Sequence, residues 1–136
     1  MRKIALDIGT VRIGIATSDP MGIIASGYET FVRTKDHEAD LKNIARLAEE
    51  KQADTFVLGL PLNMDGSEGE KVREIRAFAD DLRKYTDKKI VFQDERLSTV
   101  SAEKALIESG MRREKRKKVV DKVAATIILQ SYLDRF

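Results

Sequence analysis

Three acidic residues stand where the sequence predicts strand ends or the edge of a buried helix face. Asp7 lies near the end of an apolar run of strand length, and Glu95 follows a second short apolar run at residues 89–92. Asp121 falls within roughly 20° of Ile128 on a helical projection, at the boundary of the buried face of the last predicted helix. Burying a charge is costly unless it is paired or binds a metal. We therefore interpret these acids as candidate functional residues rather than as structural ones.

The donor atoms available restrict what such a site can hold. The chain contains no cysteine and a single histidine, so any metal must be held by oxygen. Carboxylates suit Mg²⁺ or Mn²⁺, which keep coordination positions for water and a substrate phosphate. Two such ions about 4 Å apart can orient an attacking water and stabilise a leaving 3′ oxygen. The acids favour phosphodiester hydrolysis, although 23 acidic residues in one chain guarantee some proximity by chance.

Two arginines flank the acids along the chain. Arg12 and Arg96 can clamp a phosphate, because a guanidinium matches phosphate oxygens with two parallel hydrogen bonds. They can equally be ion pairs that fix Asp7 or Glu95. The sequence leaves both readings open.

The segment from Pro61 to Gly69 is a second candidate for phosphate binding. It contains Asn63 and Gly66 and leads into the amino end of a predicted helix, where backbone amides attract anions. The alternative is a solvated connection between a strand and a helix.

A basic run precedes the predicted helix that carries Asp121. Residues 1–68 carry 8 basic and 11 acidic side chains, whereas residues 69–136 carry 17 and 12, so the second half favours a polyanionic partner over a membrane. The run can follow a nucleic acid backbone, or it can be a solvated surface. The residues expected to contact nucleic acid are Arg12, Asn63, Arg96, Arg112, Arg113, Lys115, Arg116, Lys117 and Lys118.

Hydrophobic periodicity predicts the elements that position these residues. The expected order is three strands in a meander, a helix, a strand, a helix, a strand and two helices. We expect strands at 3–8, 11–19, 22–31, 55–60 and 89–92, and helices at 37–51, after a capping box of Ser67 and Glu70, at about 99–109 and from about 117. The predicted fold is a single α/β domain over residues 1–136, with a mixed five-stranded sheet and helices on both faces. Five of the eight Phe and Tyr residues fall on core-facing patterns, namely Tyr28, Phe31, Phe56, Phe78 and Phe92.

Four segments in order resemble the YqgF/RuvX family. They are Asp7–Asp19 (DIGTVRIGIATSD), Gly59–Ser67 (GLPLNMDGS), Asp94–Thr99 (DERLST) and Asp121–Gln130 (DKVAATIILQ). The resemblance implies a ribonuclease H-like fold, related to Holliday junction resolvases, and a nuclease role in maturing the 5′ end of the small-subunit ribosomal RNA precursor. It also implies that Asp7, Glu95 and Asp121 are the catalytic, metal-binding acids.

One departure from the wider superfamily concerns the end of the fourth strand. Junction resolvases of this fold commonly place an acid there, where this chain has Gly59-Leu60-Pro61. Glu95 must then substitute from the neighbouring strand, and the role of Asp94 stays open.

Three other functions compete with RNA cleavage. The same chemistry serves resolution of four-way DNA junctions, and the fold can also be a non-catalytic RNA-binding module. Asp7-Ile-Gly-Thr resembles the phosphate loop of actin-like ATPases as well, but those need two such domains. No run of about 18 apolar residues appears, and the amino-terminal pattern is not that of a signal peptide, so we expect a cytoplasmic protein. The oligomeric state and the choice between endo- and exonuclease stay open.

Overall fold

The computed structural model describes residues 1–95 and 98–135, without the side chains of residues 98–101, 117 and 118. The strands, numbered in chain order, are β1 (Arg2–Ile8), β2 (Arg12–Ser18), β3 (Ala25–Val32), β4 (Ala53–Leu60) and β5 (Lys89–Asp94). The helices are α1 (His37–Glu50), α2 (Glu70–Leu82), α3 (Ser98–Glu108) and α4 (Arg113–Leu133). The described helices include none that is long and apolar enough to cross a membrane.

The five strands form one mixed sheet in the order β3-β2-β1-β4-β5. β1, β2 and β3 pair antiparallel as a meander, whereas β4 pairs parallel with both β1 and β5. The register sets Leu6 opposite Leu58, and Leu60 opposite Asp94. The carboxyl ends of β1, β4 and β5 therefore share one edge of the sheet. This topology confirms the α/β fold predicted from the sequence.

Helices cover both faces of the sheet, but the two faces carry different side chains. The aliphatic face lies under α1 and α2 and consists of Ile4, Leu6, Ile8, Ile13, Ile15, Phe56, Leu58 and Leu60. The small-residue face lies under α4 and consists of Ala5, Gly14, Ala16, Val57 and Gly59. Small side chains let α4 approach the strands closely: a Cβ added to Gly14 would lie 2.0 Å from the backbone oxygen of Asp121.

The predicted capping box at the start of α2 is wrong. Gly69 is the N-cap and supplies no side-chain cap. The Ser67 hydroxyl instead donates to Asp65 Oδ1 at 2.6 Å, and Ser67 Oγ accepts from Asn63 Nδ2 at 2.9 Å. The hydroxyl is thus used to close the loop that precedes the helix, which is a common competing role for serine.

The predicted start of α4 is also wrong, because the helix begins at Arg113 rather than near Lys117. Lys and Arg are good helix formers, and Glu114 in the first turn suits the helix dipole. Apolar periodicity could not detect this turn, since it contains no apolar residue. Most of the basic run therefore lies on the helix itself.

Tyr28, expected in the core, is 40% exposed on the edge strand β3.

Candidate active site

The Asp7 side chain lies on the small-residue face at the end of β1. Successive residues of a strand point to opposite faces, and its neighbours Leu6 and Ile8 belong to the core of the aliphatic face. Ala5, two residues earlier, packs in the core under α4. The same alternation that builds the core therefore turns the Asp7 carboxylate towards α4.

Glu95 reaches the same face from the residue that follows β5. Its backbone N–H donates to the Leu60 carbonyl at 3.0 Å, which extends the pairing of β5 with β4 by one residue. The residue is 8% exposed. A Cβ added to Gly59 would lie 2.7 Å from Glu95 Cδ and 2.6 Å from Ile128 Cδ1. The Glu95 carboxylate thus fills the space that a side chain at the end of β4 would occupy.

Asp121 lies on α4. This helix can pack closely against β2 because Gly14 has no side chain. The Asp121 carboxyl is half-buried, and this burial raises its pKa. Arg12, at the start of β2, acts in the opposite direction on the same pKa. Arg12 is therefore within electrostatic reach of Asp121, whereas the sequence suggested Asp7 or Glu95 as its acidic partner.

The three acids, named here the acid cluster, act on one another. The pKa of Asp7 is raised from 3.8 to about 7, chiefly by burial and further by repulsion from Glu95 and Asp121. A hydrogen bond between Asp7 and Glu95 also favours the protonated form of Asp7. Clusters of carboxylates with raised pKa values are typical of functional sites. Repulsion within such a cluster lowers the stability of the fold, so a functional role is the simplest reason for its presence.

Some acids outside the acid cluster have pKa values that shift in the opposite direction. The pKa of Glu68 is lowered by its hydrogen bond with Arg76, and that of Asp81 by its hydrogen bond with His37. These carboxylates have a cationic or imidazole partner within hydrogen-bond distance. The acid cluster is thus distinguished by electrostatics as well as by position.

The chemistry of the acid cluster fits a divalent cation. No group of three acidic or histidine side chains among the described residues already surrounds a common point as metal ligands. The Asp7–Glu95 pair nevertheless supplies two hard oxygen donors whose mutual repulsion a bound Mg²⁺ or Mn²⁺ would relieve. Asp121 is a third oxygen donor, and its charge acts on Asp7.

The residues predicted to contact nucleic acid are in part brought to this site. Arg12 is exposed beside the acid cluster, whereas Asn63 is occupied with Ser67 inside its loop. Arg113 stands eight residues before Asp121, about 12 Å along the helix axis. Arg112, Arg113 and Lys115 are exposed, but Arg116 is half-buried and donates to the Met111 carbonyl at 3.0 Å. Arg96 and the side chains of Lys117 and Lys118 lie outside the described residues.

Lys71 is a cation near the acids that sequence reasoning missed. It is the second residue of α2, and its ammonium acts to lower the pKa of Asp7. Its nearest acidic partner in an ion pair is Glu74, at 4.0 Å. The available signal was its place in the first turn of the helix that follows β4, because that turn must lie at the carboxyl edge of the sheet.

Comparisons with known proteins identify a family and similar chains. A family model described as "RuvX: Holliday junction resolvase" matches residues 1–135. A protein of Halalkalibacterium halodurans is 50% identical over 136 residues, covering 99% of this chain and 97% of its own. A protein of Clostridium botulinum (strain Hall) is 46% identical over 134 residues, covering 98% and 97%. Both relatives carry the name "Putative pre-16S rRNA nuclease".

Solved structures add evidence on the fold. RuvC of T. thermophilus in complex with a Holliday junction substrate matches with a TM-score of 0.60 at 9% identity, covering 99% of this chain and 95% of its own. A second T. thermophilus RuvC structure matches with a TM-score of 0.57 at 10% identity, covering 99% and 96%. At such identities the likeness shows a common fold, which for RuvC is ribonuclease H-like.

Proposed function

The chain belongs to the RuvX family, and we propose that it is a metal-dependent nuclease that processes the 5′ end of the 16S ribosomal RNA precursor. The observation that carries this proposal is the acid cluster, in which Asp7 has a pKa of about 7 at the shared carboxyl end of β1, β4 and β5. The names of the relatives that are 46 and 50% identical over nearly the whole chain support the choice of RNA. We propose that residues 1–136 act as one nuclease domain in the cytoplasm.

In this proposal Asp7, Glu95 and Asp121 hold Mg²⁺ or Mn²⁺. A divalent cation held by these acids would supply Lewis-acid chemistry for attack of water and for charge on the departing 3′ oxygen. The protein's own contribution is to keep Asp7 and Glu95 adjacent. Asp7 releases the proton of its hydrogen bond with Glu95 when both carboxylates act as ligands. Burial of Glu95 over Gly59 restricts water at this carboxylate, which strengthens its electrostatic interactions.

Cations on either side of the acid cluster position the substrate backbone in this proposal. Arg12, beside Asp121, neutralises charge on the phosphate at the site of cleavage. The exposed basic side chains at the start of α4 bind phosphates further along the strand, and we assign the same role to Arg96, Lys117 and Lys118. Asn63 holds the loop before α2 through its hydrogen bond with Ser67.

Cleavage of two matched substrates tests the proposal. A short RNA containing the 5′ precursor segment and a four-way DNA junction are incubated with the purified chain and Mg²⁺ or Mn²⁺. We expect cleavage of the RNA, which Asp7→Asn lowers by about 100-fold or more because it removes a donor of the metal site. The matched control Asp80→Asn, on the exposed side of α2, retains the wild-type rate. Equal rates for Asp7→Asn and wild type would contradict the mechanism.

Junction resolution is the second candidate function. The description of the matching family model favours it, since that description names Holliday junction resolvases. Both functions use the same acids, so the substrate alone distinguishes them. Cleavage of the DNA junction without cleavage of the RNA would replace the proposed function by this one. Salt-dependent RNA binding with no metal-stimulated cleavage of either substrate would indicate a binding module.

A further inference from the structure

A groove opens on the aliphatic face at the same edge of the sheet as the acid cluster. We call it the Phe78 groove; it has a volume of about 280 Å³, and its principal lining residues are Ile8, Arg33, His37, Lys71, Ile75 and Phe78. Ile8 is the residue after Asp7, and Lys71 lowers the pKa of Asp7. The groove therefore begins beside the acid cluster, across the end of β1.

The floor of the Phe78 groove is apolar, and its walls carry planar polar groups. Ile75 and Phe78 are buried. The Arg33 guanidinium lies 5.6 Å from the centroid of the Phe78 ring, and the His37 ring meets the same ring edge-on at 5.9 Å. An apolar floor beside a planar cation and an imidazole suits a flat heteroaromatic group, since bases stack on aromatic rings and on guanidinium planes.

The charge of Arg33 is available to a ligand. Its Nη1 donates to the Gly9 carbonyl at 2.8 Å, which orients the side chain at the turn between β1 and β2. The ion pairs of the described residues include none with Arg33. Lys71 adds a second cation, whose ion-pair contact with Glu74 is long at 4.0 Å.

The acids of the Phe78 groove select the kind of ligand. Glu74 and Asp81 also line it, so a bare phosphate inside the groove would meet repulsion as well as attraction. Carboxylates accept hydrogen bonds from exocyclic amino groups of bases. This combination favours adenine or cytosine over uracil, and places the phosphate at Lys71, on the side of Asp7.

We infer that the Phe78 groove binds an unpaired, amino-bearing nucleobase adjacent to the scissile phosphate, and that Lys71 holds the intervening phosphate. This inference rests on the proposed nuclease function and adds to it a position at which the base is read. It assigns Arg33, His37 and Lys71 to substrate recognition. It also requires the strand to cross the end of β1 with its backbone over the acid cluster.

Binding of small nucleotides without metal tests the inference independently of cleavage. Nucleoside 5′-monophosphates and ribose 5-phosphate are titrated in the presence of a chelator, with the methyl signals of Ile8 and Ile75 followed by NMR. We expect AMP and CMP to shift these signals and to bind roughly 10-fold more tightly than ribose 5-phosphate, because the sugar phosphate lacks the stacking group. UMP is expected to bind more weakly than CMP.

Conservative variants locate the contacts. Arg33→Lys keeps the positive charge but loses the planar guanidinium on which a base can stack. It is therefore expected to weaken AMP binding roughly 10-fold and to leave ribose 5-phosphate binding unchanged. Lys71→Gln is expected to weaken both ligands. Arg83→Lys, at an exposed ion pair with Asp80, is the matched control and changes neither.

The outcomes separate the two proposals. Equal binding of AMP and ribose 5-phosphate, or nucleotide binding that leaves the methyl signals of Ile8 and Ile75 unchanged, would overturn the base-binding inference. Nucleotide binding in the groove by a protein that cleaves neither the RNA nor the junction would sustain the inference and contradict the proposed nuclease. Cleavage without nucleotide binding in the groove would support the proposed nuclease and contradict the base-binding inference.

Discussion

The two faces of the sheet are built from different side chains and serve different purposes. The aliphatic face buries long branched side chains against α1 and α2, and each such side chain contributes about 1.5–3 kcal/mol on burial. The small-residue face offers alanine and glycine to α4 and gives less apolar area per residue. The acid cluster lies on this second face, where the missing side chains leave room for carboxylates. The protein is thus stabilised on one face so that it can tolerate repulsion on the other.

The largest expected effect comes from closing the space between α4 and β2. Gly14→Ala places a Cβ 2.0 Å from the backbone oxygen of Asp121, and backbone cannot move aside as a flexible side chain can. We expect a loss of about 3 kcal/mol or more in the free energy of unfolding, measured by urea titration. Gly69→Ala is the matched control, because its nearest neighbour would be at 3.5 Å, and the expected loss is about 1 kcal/mol. Equal losses would contradict the close approach of α4.

Removing apolar volume from the aliphatic face tests the other half of the comparison. Leu82, at the end of α2, is fully buried and distant in sequence from every acid of the cluster. Leu82→Ala is expected to lower the free energy of unfolding by about 2–5 kcal/mol. The cleavage rate per folded molecule is expected to stay at the wild-type value. A proportionate fall in that rate would show that the two faces are not separable.

Asp7→Asn is expected to stabilise the metal-free protein in a pH-dependent manner. The pKa of Asp7 in the folded state, about 7, lies above its ordinary value of 3.8, so the folded protein binds this proton more tightly than the unfolded chain. Ionised Asp7 then lowers stability progressively as the pH rises from about 4 to about 7. The variant is expected to gain at most about 4 kcal/mol at pH 8, and nothing below pH 4.

Urea unfolding at a series of pH values, with a chelator present, measures this gain. Asp80→Asn provides the control, since Asp80 is exposed and outside the acid cluster. A gain of the same size at pH 4 and pH 8 would contradict the assignment of the effect to ionisation of Asp7.

The smallest predicted change in free energy concerns Gly59. Gly59→Ala directs a Cβ at the ends of the Glu95 and Ile128 side chains, which can give way at modest cost in stability. Displacement of the Glu95 carboxylate is expected to lower the cleavage rate about 10-fold, equivalent to roughly 1.4 kcal/mol in the activation barrier. In a Glu95→Gln background the same change is expected to have no further effect. An equal loss in both backgrounds would show that Gly59 acts other than through Glu95.

The sequence predicted most of the topology because its signals are local. The apolar runs of β1 and β4, the alternation in β2 and the helical spacing in α1 each specify an element. Parallel pairing of β4 and β5 follows from the intervening helix. The same rules place Glu95 at the carboxyl edge of the sheet, whereas only the structure shows the parallel pairing of β1 with β4 that brings Asp7 to the same edge. Their chemical roles remain predictions.

The features that were missed depend on contacts between distant residues. Ser67 was expected to cap α2 but instead pairs with Asp65 and Asn63 in the loop. The contact of Glu95 with Gly59 is between residues 36 positions apart, so no local sequence pattern predicts it. The proximity of Lys71 to Asp7 likewise appears only when α2 is docked on the sheet.

The most direct test of the acid cluster as one site is the affinity for Mn²⁺, measured by electron paramagnetic resonance in the absence of substrate. We predict that Asp7→Asn, Glu95→Gln and Asp121→Asn each weaken Mn²⁺ binding by about 10-fold or more, since each replaces an anionic carboxylate by a neutral amide. Asp80→Asn is predicted to bind as the wild type does. Wild-type affinity in all three cluster variants would contradict the account, because the acids would then not share a cation.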